Sequence, residues 1–179
     1  DVAPFLDAAR QEKRMDLLFC APDTVIVTRD GHVAQTALSE GVAALLCDPT
    51  ITKRTHNVKP LYAVLLQKGK RPAGFVMDTM LAAYLLDPLS SGYALPRVAQ
   101  QYGGVHTAVA VDTPLLQQAA FFSATADALE TAVREAGQEQ LLHEVELPLA
   151  EVLASMENDG FLVDAARIAA YGEELQQRV

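Results

Sequence analysis

The side chains able to cut, transfer or hold other groups are few and scattered. His32, His56, His106 and His143 stand singly, and Cys20 and Cys47 lie in apolar segments with no histidine beside them. That spacing offers neither a zinc site nor a disulfide framework, and no nucleophile is paired with a base. There is no Gly-x-Ser-x-Gly, and Gly103-Gly104 comes after a helical pattern with no Gly-Lys-Ser/Thr following, so a phosphate-cradling loop is excluded. Carboxylates remain. Asp23, Asp78, Asp112 and Asp127 could supply oxygens to hard divalent cations if folding gathered them beside a phosphodiester.

Composition limits what could surround such a site. The chain has 179 residues, 50% hydrophobic and 21% charged, enough for one compact domain with an appended piece. Its apolar runs fall far short of the roughly 20 residues that span a bilayer, so no membrane helix is expected. Two unpaired thiols suit a reducing compartment, and a cytoplasmic location is expected. The sequence starts at Asp1 without a leader pattern and stops inside a helical pattern, as a piece of a longer protein would.

The formal charge is −9, which argues against general phosphate binding by the whole surface. Residues 123–179 carry 12 acids and 3 bases, whereas residues 1–122 carry 11 of each, so the excess acid lies in the last third. Lys53, Arg54, Lys59, Lys68, Lys70 and Arg71 occur with no carboxylate between Asp48 and Asp78. This basic stretch reads as a solvated helical face, or as a contact to nucleic acid or to an acidic neighbouring domain.

Periodicity and punctuation supply the elements. Residues 4–12 read as a short helix and 16–21 as a strand; 24–28 and 32–36 flank Arg29-Asp30-Gly31 as a hairpin, giving a small antiparallel meander. Ser39 is placed to cap a helix ending before Asp48-Pro49, and residues 50–55 read as another strand. Pro60 opens a helix closed by Gly69, residues 75–76 form a brief strand, and Asp78 caps a helix over 79–86. A helix is expected over 93–102 and a loop or weak strand over 105–112. From Pro114 the pattern is helical, interrupted near Gly137 and at Pro148, with a stop at Asn158-Asp159-Gly160 and a last helix capped by Asp164. The order implies a mixed α/β sheet with flanking helices, then a helical extension, divided as residues 1–140 and 141–179.

Two segments are recognisable. Val76-Met77-Asp78-Thr79-Met80-Leu81-Ala82-Ala83-Tyr84-Leu85-Leu86-Asp87-Pro88, with the run from Leu95 to Tyr102, resembles part of the 3′–5′ exonuclease domain of bacterial family A DNA polymerases. Glu146-Leu147-Pro148-Leu149, Val152-Leu153, Met156-Glu157, Gly160 and Val163-Asp164 resemble the stretch that opens the polymerase domain of the same proteins. The resemblance implies a ribonuclease H-like fold and a parent DNA-directed DNA polymerase of replication and repair. It also implies two-metal cleavage of single-stranded 3′ ends where the carboxylate ligands are kept.

Here the family's ligands are not kept. Its first motif, Asp-x-Glu at the end of the first strand, is matched by Asp23-Thr24-Val25, with valine for glutamate. Its second, Asn-x-Lys-x-Asp, is matched by Asn57-Val58-Lys59-Pro60-Leu61, with leucine for aspartate. Its third, Tyr followed four residues later by Asp, is matched by Phe122 and Ala126; a shift of one residue would bring in Asp127 alone. Asp78 is explained by helix capping. The expectation is therefore a catalytically degenerate exonuclease-like domain with no catalytic residue and no metal or other cofactor. It would support the polymerase domain of the same chain and add weak DNA contacts through residues 53–71. Mg²⁺ and DNA synthesis would belong to the parent's polymerase site beyond Val179. Two other readings stay open: an active metal-dependent nuclease with unconventional ligands drawn from Asp23, Asp78, Asp112 and Asp127, and a protein-interaction module.

Overall fold

Side chains on successive strand residues point to opposite faces, and this alternation builds the sheet. In the computed structural model, which describes residues 2–103 and 114–178, the strands are β1 (Arg14–Cys20), β2 (Thr24–Arg29), β3 (His32–Ala37), β4 (Thr52–Thr55) and β5 (Phe75–Asp78). They form one sheet in the order β3-β2-β1-β4-β5. The β1–β2 and β2–β3 pairs are antiparallel, the meander expected from the sequence with the Asp-Gly turn between β2 and β3, while β1–β4 and β4–β5 are parallel. Met15, Leu17, Val25 and Val27 face one way, and Leu18 and Ile26 face the other. A sheet apolar on both sides must be covered on both sides.

The first face is covered by α1 (Ala3–Glu12), α2 (Glu40–Leu46) and α3 (Lys59–Gln67), which contribute Ala9, Val42, Leu46, Leu61 and Leu65. Ser39 caps α2 through a hydrogen bond from Val42 N at 3.4 Å. The second face is covered by α6 (Leu115–Glu135), whose Ala119, Phe122 and Ala126 pack with Leu95 of α5 (Leu95–Gln101). The α5 helix starts two residues later than the pattern predicts. Pro96 suits a first turn, where its missing N–H is not needed, and Tyr93 instead donates its hydroxyl hydrogen to Asp87 O at 2.8 Å. The loop or strand expected over 105–112 lies outside the described residues.

After Gly137, at φ +68°, come α7 (Glu139–Leu141), a π-helical turn (Leu142–Glu146), α8 (Leu147–Asp159) and, beyond Gly160, α9 (Ala165–Arg178). The helical path continues through Pro148, because the widened turn just before it accommodates a residue with no N–H. Leu142 and Leu147 join Met77, Val98, Leu129 and Val133 in a third apolar cluster. Ala150 and Ala154 seat α8 on Val58 and Tyr62 of α3 and its N-terminus. Among the described residues no helix is long and apolar enough to cross a membrane.

One carboxylate fixes the junction of these layers. Asp78 caps α4 (Thr79–Leu86) by accepting from Met80 N at 2.8 Å and Leu81 N at 3.4 Å. It also accepts from Asn57 N at 2.9 Å and Val58 N at 2.7 Å, tying the start of α3 to the end of β5. Asn57 makes the turn at φ +58°, a conformation asparagine tolerates better than most residues. Leaving these donors unmatched costs on the order of 1–3 kcal/mol beyond the loss of a cap. Asp78→Ala is therefore expected to lower stability by about 3 kcal/mol in urea unfolding, with Asp78→Asn intermediate.

Candidate functional site

The α6 face of the sheet has two adjoining regions of opposite character. In the first, Leu18 of β1, Ile26 of β2 and Leu95 meet Ala119, Phe122 and Ala126 of α6, all buried. In the second, two residues back along the same face of β1, Asp16 meets Arg54 of β4. Arg54 donates from Nε to Asp16 Oδ1 at 2.7 Å and from Nη2 to Oδ2 at 2.6 Å. Its Nη1 reaches Asp127 at 2.5 Å and Glu130 at 3.5 Å, both on α6. Arg14 adds a second bond to Asp127 at 3.2 Å. The Arg54 and Asp16 side chains are only 2% and 8% exposed. Burial alone would push Arg54 down, but the hydrogen bonds and charge of Asp16 and Asp127 outweigh it and hold the guanidinium above its ordinary value. A cavity of about 300 Å³ opens beside this network, lined by Arg14, Asp16, Thr28, Arg29, Arg54 and Asp127, among others.

The six motif positions do not converge. Asp23 is exposed in the turn after β1. Val25 lies on β2 opposite Phe19, not at the end of β1, because β1 stops at Cys20; it packs with Leu61 on the α2–α3 face. Asn57 serves the turn before α3, while Phe122 and Ala126 pack on the other face. An Asp-x-Glu pair on β1 that faces α6 would fall on Asp16 and Leu18, and Leu18 touches the cluster holding Phe122 and Ala126. The sequence signal for this was an acid inside an apolar strand, at the wrong depth for a turn. Valine, leucine, phenylalanine and alanine offer no lone pair to a hard cation, so these positions do not fit the divalent metals of exonuclease chemistry. Among the described residues no group of three or more His, Cys, Asp or Glu side chains is arranged to hold a metal ion. Asp112 lies outside the described residues.

The basic stretch is not one solvated face. Lys53 and Arg54 are buried, which removes both from the set of candidate DNA contacts. Lys53 sits 0% exposed and donates from Nζ to the carbonyls of Asp48 and Ala73, the latter at 2.7 Å. Burial lowers its ammonium to about 8. Lys59 pairs with Glu157 at 2.8 Å and Arg71 with Glu151 at 3.0 Å, so both point to α8; Lys70 pairs with Glu40 at 2.7 Å. Lys68 lies exposed just beyond α3. Near the ends of β4 and β5, His56 Nδ1 lies 2.8 Å from Thr79 Oγ1; burial lowers its pKa against the opposing pull of Asp78.

A family profile described as "DNA polymerase I, ribonuclease H-like domain" matches residues 19–115. The DNA polymerase I of Geobacillus stearothermophilus is 35% identical over 163 residues, covering 81% of this chain and 19% of that protein. That of Mycobacterium bovis is 30% identical over 162 residues, covering 79% and 17%. The chain thus spans about a fifth of the length of these relatives. Among solved structures, "POL domain of Pol1 from M. smegmatis complex with DNA primer-template and dNTP" superposes at a TM-score of 0.80 with 23% identity, over 97% of this chain and 34% of that one. "Brucella melitensis NrnC" superposes at 0.65 with 18% identity, over 90% and 94%. At these identities the two structures establish the fold.

The buried ammonium of Lys53 gives a pH signature. A folded-state value near 8, against 10.5 for the free side chain, means the unfolded chain binds the proton more tightly between these limits. Measured against Lys53→Met, which does not titrate here, the wild-type protein is expected to gain stability as pH rises from about 8 toward 10.5. Urea unfolding of both proteins across that range reads the slope; a falling difference would contradict it.

Proposed function

Because the chain belongs to the DNA polymerase I ribonuclease H-like domain family, we propose that it is a vestigial 3′–5′ exonuclease domain carrying the first helices of a polymerase domain. Its role is structural. It forms a platform for the polymerase domain of the same chain, within a cytoplasmic enzyme of DNA replication and repair. The observation that carries this reading is the hydrocarbon contact of Leu18 with Phe122 and Ala126, where β1 and α6 meet. Metal-assisted cleavage needs anionic oxygens around the scissile phosphate. At this place packing has replaced them.

The platform reading rests on the α3–α8 contact. Val58 and Tyr62 pack on Ala150 and Ala154, and Lys59–Glu157 and Arg71–Glu151 flank that contact. Part of the basic stretch thereby serves the acidic last third of the chain, with Lys68 and Lys70 left as the candidates for weak DNA backbone contacts. On the far side, α8 exposes Val152, Leu153 and Met156 and α9 exposes Ile168, Tyr171 and Leu175, the apolar surface a larger polymerase domain would cover.

Two experiments test the pair of claims. A 5′-labelled single strand incubated with the protein and Mg²⁺ or Mn²⁺ is expected to stay intact, as with Asp16→Ala. Metal-dependent shortening that disappears in Asp16→Ala or Asp23→Ala would restore the nuclease reading. For the platform, Ala154→Glu forces a charged, larger side chain into a fully buried helix contact and is expected to cost about 1–3 kcal/mol. Amide exchange should accelerate across α8 while β1 and β2 keep their protection; unchanged exchange in α8 would show that the contact does not hold it.

A further inference from the structure

We propose that the turn after α3, residues 68–71, is a docking site for the phosphate backbone of nucleic acid, held shut when empty by two of the protein's own carboxylates, Glu40 and Glu151. The inference deepens the DNA contacts proposed above and rests on the reading of a parent that works on DNA.

The turn is fixed before any ligand arrives. Gly69, at φ +67°, closes α3: its N–H donates to Leu66 O at 2.9 Å and Lys70 N to Leu65 O at 2.9 Å, the pair of bonds with which a left-handed glycine stops a helix. Just beyond, Pro72 is buried and Ala73 N donates to Leu46 O at 3.1 Å. Anchored on both sides, the turn presents Lys68, Lys70 and Arg71 with little backbone freedom left to lose on binding. The negative end of α3 accounts for one cation at this place, not for three.

Two carboxylates mark where anionic oxygens are received. Glu40, at the start of α2, meets Lys70 Nζ at 2.7 Å. The hydrogen bond and charge of Lys70, with a smaller contribution from Lys68, hold its carboxyl below the ordinary range, so both lysines act on one anion. Arg71 meets Glu151 of α8 through Nε at 3.0 Å, yet its side chain stays 85% exposed. The Glu40 side chain is 85% exposed as well. Exposed ion pairs are weak and screened by salt, so a phosphate oxygen can take the place of either carboxylate without stranding a buried charge. The excess acid of residues 123–179 repels a polyanion from much of the remaining surface and favours this turn.

The test is fluorescence anisotropy of a labelled oligothymidylate titrated with the full chain over a range of salt. Wild type is expected to bind with a dissociation constant of roughly 10⁻⁴ to 10⁻⁶ M, and log K should fall against log salt with a slope of about −2, the value for three phosphate contacts on a single strand. Lys68→Gln, at an exposed position, should weaken binding and reduce the slope by about 0.7. Glu40→Gln and Glu151→Gln should each tighten binding about two- to fivefold. Glu135→Gln, an equal charge change at an exposed position of α6, should leave it nearly unchanged. Binding indifferent to Lys68→Gln, or tightened as much by Glu135→Gln as by Glu40→Gln, overturns the site. Equal displacement of the strand by polyglutamate of matched charge overturns its assignment to nucleic acid. Absence of binding overturns the proposal and leaves the α3–α8 platform to the Ala154→Glu experiment, while strand shortening bears on the vestigial reading alone.

Discussion

A guanidinium removed from water between a strand and a helix is tolerable only when anions surround it. Breaking such a pair by deleting one partner costs roughly 3–5 kcal/mol, because the other charge stays buried. The Arg54–Asp16 pair joins β4 to β1, and the reach of the same guanidinium to Asp127 and Glu130 draws α6 onto both strands. The exposed pairs Arg10–Asp7 and Arg134–Glu139 belong to a different energetic class, worth about 0–1 kcal/mol each. The position of α6, and with it the contact of Phe122 and Ala126 with Leu18, depends on this one desolvated charge.

The two regions under α6 do different work with neighbouring positions. Ala119, Phe122, Ala126, Leu129 and Val133 recur at helical spacing and bury their hydrocarbon, a non-directional attraction that tolerates small slides. Asp127 and Glu130, set around the helix from that stripe, answer Arg54 through directional bonds. Burial supplies most of the adhesion and the ion network supplies the register. A helix held only by its apolar stripe could shift by a turn; one that must also meet a fixed guanidinium could not.

Much of the architecture is legible because its signals are local. The Asp-Gly hairpin, Ser39 and Asp78 as caps, and Gly69, Gly137 and Gly160 as stops each act within a few residues of themselves, and the structure places each where the pattern predicts. What is not legible depends on distant partners. Lys53-Arg54 looks like surface charge because its neighbours in sequence are basic or polar. Arg54's anions lie 38 and 73 positions away, and Lys53 is answered by main-chain carbonyls that every sequence contains. The first motif is hard to place for a related reason. An aspartate within β1 and one in the turn seven residues later both stand near the end of an apolar run, and only partners on β4 and α6 distinguish the one that faces the helix. The π-helical turn before Pro148 has no local signature at all, since it arises from fitting one rigid ring into a helix already committed to the core.

The seating of α8 on α3 bears on why such a unit would persist. A descendant that discarded everything before α8 would turn Leu147, Ala150 and Ala154 toward solvent along one stripe and strip Glu151 and Glu157 of the cations facing them. Cutting there would therefore trade a buried seam for an unpaired, half-apolar helix, so the piece before α8 and the piece from α8 onward stand better joined than apart.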